Sequence, residues 1–134
     1  MEKAKIIAHR LDGTMVKGFT QDFAPSKPDF HIFPYEGSTS HQRVQILLKD
    51  LKAIFFVRDF AGKRDYQERK NFNPEERPSG RILEVTFNDG EIMVGSTVAY
   101  DPQRSGFFIF PADPQGNNVR VFVLSKAVRM VRYL

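Results

Sequence analysis

The sequence predicts an all-β fold made of two tandem five-stranded small barrels packed together. Three observations carry this expectation. One stretch of the chain recurs at a fixed spacing, short apolar runs alternate with a period of two, and tight-turn signals separate those runs.

The recurrence is read directly. Leu11–Pro34 is LDGTMVKGFTQDFAPSKPDFHIFP and Asn88–Pro111 is NDGEIMVGSTVAYDPQRSGFFIFP. Asp12-Gly13 matches Asp89-Gly90 at a spacing of 77 residues, and the same spacing pairs Gly18 with Gly95, Thr20 with Thr97, Pro25 with Pro102 and Phe30 with Phe107. It continues without a gap through Ile32–Pro34 and Ile109–Pro111, Arg43-Val44 and Arg120-Val121, Leu47 and Leu124, and Lys49 and Lys126, up to Val57 against Leu134. Chance does not hold one register through so many turn residues.

Each copy reads as five strands. In the second, RILEVTF alternates and stops at Asn88-Asp89-Gly90, a tight-turn signal. EIMVGSTVAY follows with Gly95 mid-strand, where glycine marks a bulge or bend. DPQRSG is a turn, FFIFP a short strand ended by proline, ADPQGNN a loop, VRVFVL a fourth strand, SKA one helical turn and VRMVRYL the last strand. Short strands with a bent second member suit a small closed or half-closed barrel. The first strand of the first copy breaks the pattern. Ile7, His9 and Leu11 alternate one residue out of phase with Leu83, Val85 and Phe87. A one-residue slip reverses a strand's faces, so either a bulge sits near Arg10 or that strand pairs differently. The expected core is Val44, Ile46, Ile54 and Phe56, matched by Val121, Val123, Val131 and Tyr133.

This strand order resembles the SH3-like and Sm-like small barrels. The first Sm motif is matched by Asp89, Gly90, Gly95, Tyr100 and Asp101, and in the first copy by Asp12, Gly13, Gly18 and Phe23, with Ala24 in place of the acid. The doubled pattern is also similar to a bacterial domain of unknown function that occurs alone and beside signalling modules. The resulting organisation is residues 1–57 as the first barrel, 58–80 as a polar connection and 81–134 as the second barrel. In the connection Phe60, Tyr66 and Phe72 recur every six residues, and they are expected to pin it onto the barrels.

Composition narrows the function. The chain of 134 residues has no cysteine, which excludes disulfides, thiolate zinc sites and cysteine nucleophiles and suits a cytoplasmic setting. The opening MEKAKIIAHRLDG lacks an apolar stretch of signal-peptide length, and no run is long enough to span a bilayer, so no membrane partner is expected. His9, His31 and His41 are scattered without a convergent ligand set. There is no Gly-x-Ser-x-Gly elbow, phosphate-binding loop or His-Glu-x-x-His. Asp12 and Asp89 stand beside turn glycines, where aspartate caps its own turn. The expectation is therefore a protein that is not an enzyme and carries no cofactor or metal.

Two binding classes follow. Phe107–Phe110 and Ala53–Val57 are apolar on both faces, more than one small barrel can bury. Phe55, Phe108 and Phe110 are thus candidates for a protein interface, either with a partner or in self-association through a strand edge. The alternative is a phosphate-bearing ligand held by Arg77, Arg81, Arg104, Arg120 and Arg129, within a formal charge of +4. The Sm resemblance implies RNA, yet Ser105 and Pro28 stand where that family's pocket has asparagine, and neither copy carries its Arg-Gly. Arg77 and Arg81 are spaced like the Arg-x-x-x-Arg of PilZ domains, which implies a cyclic dinucleotide. The second PilZ motif, an Asp/Asn-x-Ser-x-x-Gly, is missing.

Overall fold

The computed structural model describes residues 3–38, 41–62 and 65–134, and its regular structure is strand with two single turns of 3-10 helix. The strands are β1 (Ala4–Arg10), β2 (Met15–Thr20), β3 (Asp29–Ile32), β4 (Val44–Leu47), β5 (Leu51–Val57), β6 (Arg81–Phe87), β7 (Ile92–Thr97), β8 (Gly106–Pro111), β9 (Asn118–Leu124) and β10 (Val128–Tyr133). The 3-10 turns, Leu48–Asp50 and Ser125–Ala127, each precede the last strand of their half.

All strand pairs are antiparallel, and those of the second half recur in the first at the spacing of 77. Ala4↔Thr20 corresponds to Arg81↔Thr97, Ile6↔Phe56 to Leu83↔Tyr133, and Asp29↔Leu47 to Gly106↔Leu124. The β2–β3 contact is the single bridge Phe19↔Phe33, which corresponds to Ser96↔Phe110 of β7 and β8. The Asp-Gly turns are built alike. Thr14 N–H donates to Asp12 Oδ1 at 2.9 Å and Glu91 N–H to Asp89 Oδ1 at 3.0 Å, with Gly13 and Gly90 at φ 91° and 94°.

The halves do not close into two separate barrels. Eight strands run in one sheet, ordered β10-β6-β7-β8-β9-β5-β1-β2, with β3 and β4 as a second, two-stranded sheet. The join is β5 against β9, through Ile54↔Phe122, Phe55↔Val121 and Phe56↔Arg120. The physical reason is β5 itself, LKAIFFV, which is apolar on both faces. Pairing its edge with β9 puts Ala53 to Val57 wholly inside.

Two expectations about the core need correction. β1 is not out of phase: Ile6 and Ala8 are buried and align with Leu83 and Val85, whereas Leu11 is 54% exposed. A bulge does sit near Arg10, with its extra residue Lys52 on β5 and the counterpart Arg129 on β10, but the altered sequence pattern comes from Arg10 standing where β6 has the buried Phe87. Tyr133 lies outside the core, exposed on β10, and Val131 and Val44 are only half-buried, because among the described residues no strand covers the outer edges of β10 and β4. Ile46, Ile54, Phe56, Val121 and Val123 are buried as expected.

The mid-strand glycines mark close approach. A Cβ on Gly18 would lie 2.3 Å from the Phe33 carbonyl oxygen, and one on Gly95 2.5 Å from that of Phe110. A side chain there would push β3 or β8 off its neighbour.

Residues 58–80 hold no regular structure among those described, and their contacts pin them to both halves. The Phe60 ring stacks on Tyr35 at 4.2 Å and meets Phe19 edge-on at 5.5 Å. Tyr66 Oη donates to Asp113 Oδ2 at 2.6 Å, and the Arg69 backbone N–H donates to the same oxygen at 2.9 Å. Phe72 is half-buried.

Candidate binding grooves

The β5–β9 join assembles an aromatic cluster from distant parts of the chain. Phe23, from the loop after β2, lies 5.2 Å from Phe30, 5.9 Å from Phe56 and 5.2 Å from Phe122. Phe108 completes the cluster, 5.9 Å from Phe56 and 5.0 Å from Phe122. Alternation along β5 and β9 places these rings on one face of the sheet. Above them lies the Arg120 guanidinium, 4.4 Å from both the Phe56 and the Phe108 ring centroids. Loss of solvent lowers the Arg120 pKa from its ordinary value. Among the described residues no carboxylate forms an ion pair with it, so the ring faces are its electrostatic partners.

Beside this cation is a groove of about 460 Å³ whose lining includes Pro25, Val98, Arg104, Phe108, Phe110 and Arg120. Val98 and Phe110 are 72% and 42% exposed, large apolar side chains open to solvent. Among the described residues no aspartate or glutamate lines the groove. A neighbouring groove of about 880 Å³ takes the same loops from both halves. Ser26, Lys27, Pro28 and Leu47 to Lys49 face their counterparts Gln103, Arg104, Ser105 and Leu124 to Lys126. Its cations are Lys27, Lys49, Arg104 and Lys126, again without a lining carboxylate. Ser105 Oγ bridges the two loops by donating to the Pro25 carbonyl at 3.4 Å.

The structure thus unites four of the candidates, Phe108, Phe110, Arg104 and Arg120, and separates the rest. Phe55 is buried on the opposite face of β5, its ring 4.3 Å from that of His9. Arg77 donates to the carbonyls of Pro74 and Glu76, and Arg81 lies over the Tyr133 ring at 3.9 Å. Arg129 is exposed on β10. Neither groove is lined by these three arginines. Sequence reasoning did not single out Val98 or the lysines at 27, 49 and 126. The one available signal was the repeated Lys49/Lys126 pair.

Among the described residues no group of three or more histidine, aspartate or glutamate side chains could hold a metal ion, and no helix is long and apolar enough to cross a membrane. A profile built for a family of unknown function, DUF6982, matches residues 2–134. The chain belongs to that family. As a DUF6982 member it is an all-β protein whose match runs through both halves and the connection. Neither a curated protein nor a solved structure matches it significantly.

Proposed function

We propose that this DUF6982 chain is a non-catalytic binding or regulatory module that acts through contacts with another protein. Its frame in this reading is two units of SH3-like or Sm-like strand order, 1–57 and 81–134, joined edge to edge in place of two closed barrels and tied by 58–80. Matching strand registers and bulges in the two halves support the tandem reading. The lack of cysteine supports a cytoplasmic setting.

The observation that carries the function is the groove in which Val98 and Phe110 stand exposed beside Arg120, a partly desolvated cation with no carboxylate ion pair among the described residues. Exposed apolar side chains around an arginine on an aromatic floor are the chemistry of a protein contact. The groove itself lacks acid. The fitting occupant is an extended segment of another protein that carries an aromatic or branched side chain and a carboxylate. Selection from a random displayed-peptide library tests this. Enriched peptides should combine a large apolar residue with Asp or Glu, and their binding should be lost in Phe110→Ser and Val98→Ser. No enrichment, or peptides that bind both variants unchanged, overturns the reading.

A second reading rests on the four cations of the neighbouring groove: a phosphate-bearing ligand such as RNA or a cyclic dinucleotide. Titration with single-stranded RNA and cyclic di-GMP should then show affinity that falls steeply with salt and is lost in Lys49→Ala/Lys126→Ala. Salt-independent binding, or none at low salt, removes it.

A further inference from the structure

We propose that copies of this chain associate head to tail, the open edge of β10 in one chain pairing antiparallel with the open edge of β4 in the next, in the register that joins β5 to β9. This goes beyond the groove reading and uses a different surface.

The spacing of 77 residues carries β5 onto β10 and β9 onto β4. Among the described residues β10 pairs only with β6 and β4 only with β3. The two unpaired edges are thus counterparts of the two strands that already pair within the chain. Exposure shows what is missing. Phe56 and Val57 are each 7% exposed because β9 lies alongside, while their counterparts Tyr133 and Leu134 are 45% and 61% exposed. Met130 is likewise exposed where Ala53 is buried. An edge of this kind is a template for another strand.

The side chains at the two edges are matched to each other. Within the chain, Phe23 and Phe56 on one side meet Phe108, Phe122 and Arg120 on the other. At the open edges the counterparts are Tyr100 and Tyr133 on one side, and His31, Gln45 and Arg43 on the other. Tyr100 and Tyr133 already lie 6.3 Å apart, as Phe23 and Phe56 lie 5.9 Å apart. Phe23, Phe56, Phe108 and Phe122 of the internal join are each replaced by a residue with a polar end, and on both sides at once. Two tyrosine hydroxyls would face an imidazole and an amide held in place by Asp22 and Asp29, and Arg43 would meet Tyr133, whose ring already carries Arg81 at 3.9 Å. This is a more polar version of the same junction, suited to side chains that are solvated before they meet.

Carrying the register across gives Val131 opposite Gln45, Arg132 opposite Val44 and Tyr133 opposite Arg43. The two edges differ, so the contact is heterologous and every added chain presents one free edge of each kind. Such assembly closes into a ring or continues as a filament, depending on the rotation between chains.

Sedimentation velocity of the full chain over a concentration series tests the proposal. The mass should rise from one chain to a multiple of it. Tyr133→Arg, which sets like charges opposite each other at Arg43, should move association to at least about tenfold higher concentration. The double variant Arg43→Glu/Tyr133→Arg should restore it, since the two positions then carry opposite charge. Residues 43 and 133 are both exposed in the single chain, and because Tyr133 also touches Arg81 and Tyr100, the unfolding midpoint of each variant is measured alongside so that loss of association is read only where the fold is kept. A wild-type mass of one chain at every concentration overturns the proposal, as does association that Tyr133→Arg leaves unchanged or the double variant does not restore. Peptide selection at the groove reports separately. Selection that succeeds with a chain that stays single removes only the assembly, and assembly without peptide binding removes only the groove.

Discussion

Arg120 and Phe56 face each other where the two halves of the sheet join, with the guanidinium carbon 4.4 Å from the ring centroid. The same guanidinium lies equally close to Phe108, so one cation holds β5, β8 and β9 together from above. It has been drawn partly out of water, which lowers its pKa, and the aromatic faces offset that loss. Of the residues at the corresponding positions, Tyr133 lies on β10 at one edge of the eight-stranded sheet and Arg43 directly precedes β4 in the two-stranded sheet.

Arg120→Ala should therefore destabilise the fold by about 1–2 kcal/mol, and Arg120→Met, which keeps the apolar stem, by less. Denaturant midpoints of the two variants check this. Equal loss in both would show that the charge over the rings matters little.

Gly95→Ala should cost about 1–3 kcal/mol, because the added methyl falls 2.5 Å from the Phe110 carbonyl and 2.7 Å from Ile109 Cγ1. Gly18→Ala should cost a similar amount, since its methyl meets Phe33 and Ile32 in the same way. Thermal unfolding of each single variant is the measurement. A neutral result at either position would mean that the neighbouring strand yields freely.

His9 gives a pH dependence near neutrality. Burial lowers its pKa, Glu91 raises it and Lys52 lowers it, with burial the largest effect. The unfolded chain therefore binds a proton at this site more readily than the folded one. Stability should be full above the ordinary histidine value of about 6.5 and decline as pH falls below it. His9→Gln should flatten this slope in denaturation curves collected across that range. An unchanged slope would assign it to other groups.

Asp113 gives a second window, at acid pH. The Arg69 backbone N–H and the Tyr66 hydroxyl hydrogen-bond its carboxylate and hold the pKa at about 2. The contribution is complete above the ordinary aspartate value and is lost as pH falls through about 2. Tyr66→Phe and Asp113→Ala should each loosen the connection without unfolding the sheet, so limited proteolysis should cut within 58–80 several-fold faster. Cutting rates equal to wild type would mean that Phe60 and its ring partners hold the segment alone.

Strand positions and turns were readable because they depend on neighbouring residues. The Asp-Gly turns, the glycines at 18 and 95 and the short turn before each final strand follow from local period and turn chemistry. The first strand misled for a physical reason. The bulge opposite His9 and Arg10 places its extra residue, Lys52, on β5 and recurs as Arg129 on β10, so β1 keeps the phase of β6. It misleads because Arg10 stands where β6 has the buried Phe87, while Ile7 and the exposed Leu11 supply an apolar alternation on the other face. Of the candidate site residues, Phe108, Phe110, Arg104 and Arg120 come together, and Phe55 does not, because adjacent residues on a strand point to opposite faces.

The sequence by itself determined the repeated spacing, the all-strand character and the polar, aromatic-tethered connection, each of which is set by residues close together in the chain. Only the tertiary structure decided which edges meet. LKAIFFV at 51–57 and VRMVRYL at 128–134 occupy the same place in the repeat, yet one is buried and the other largely exposed. The apolar run at 51–57 allows burial on both faces and the arginines at 129 and 132 do not, but neither stretch names the strand that would supply the cover. The difference comes from β9, which is brought beside β5 by the fold of a distant segment and has no counterpart beside β10. Burial at a sheet edge belongs to the pairing, and pairing between remote strands is settled by the whole chain.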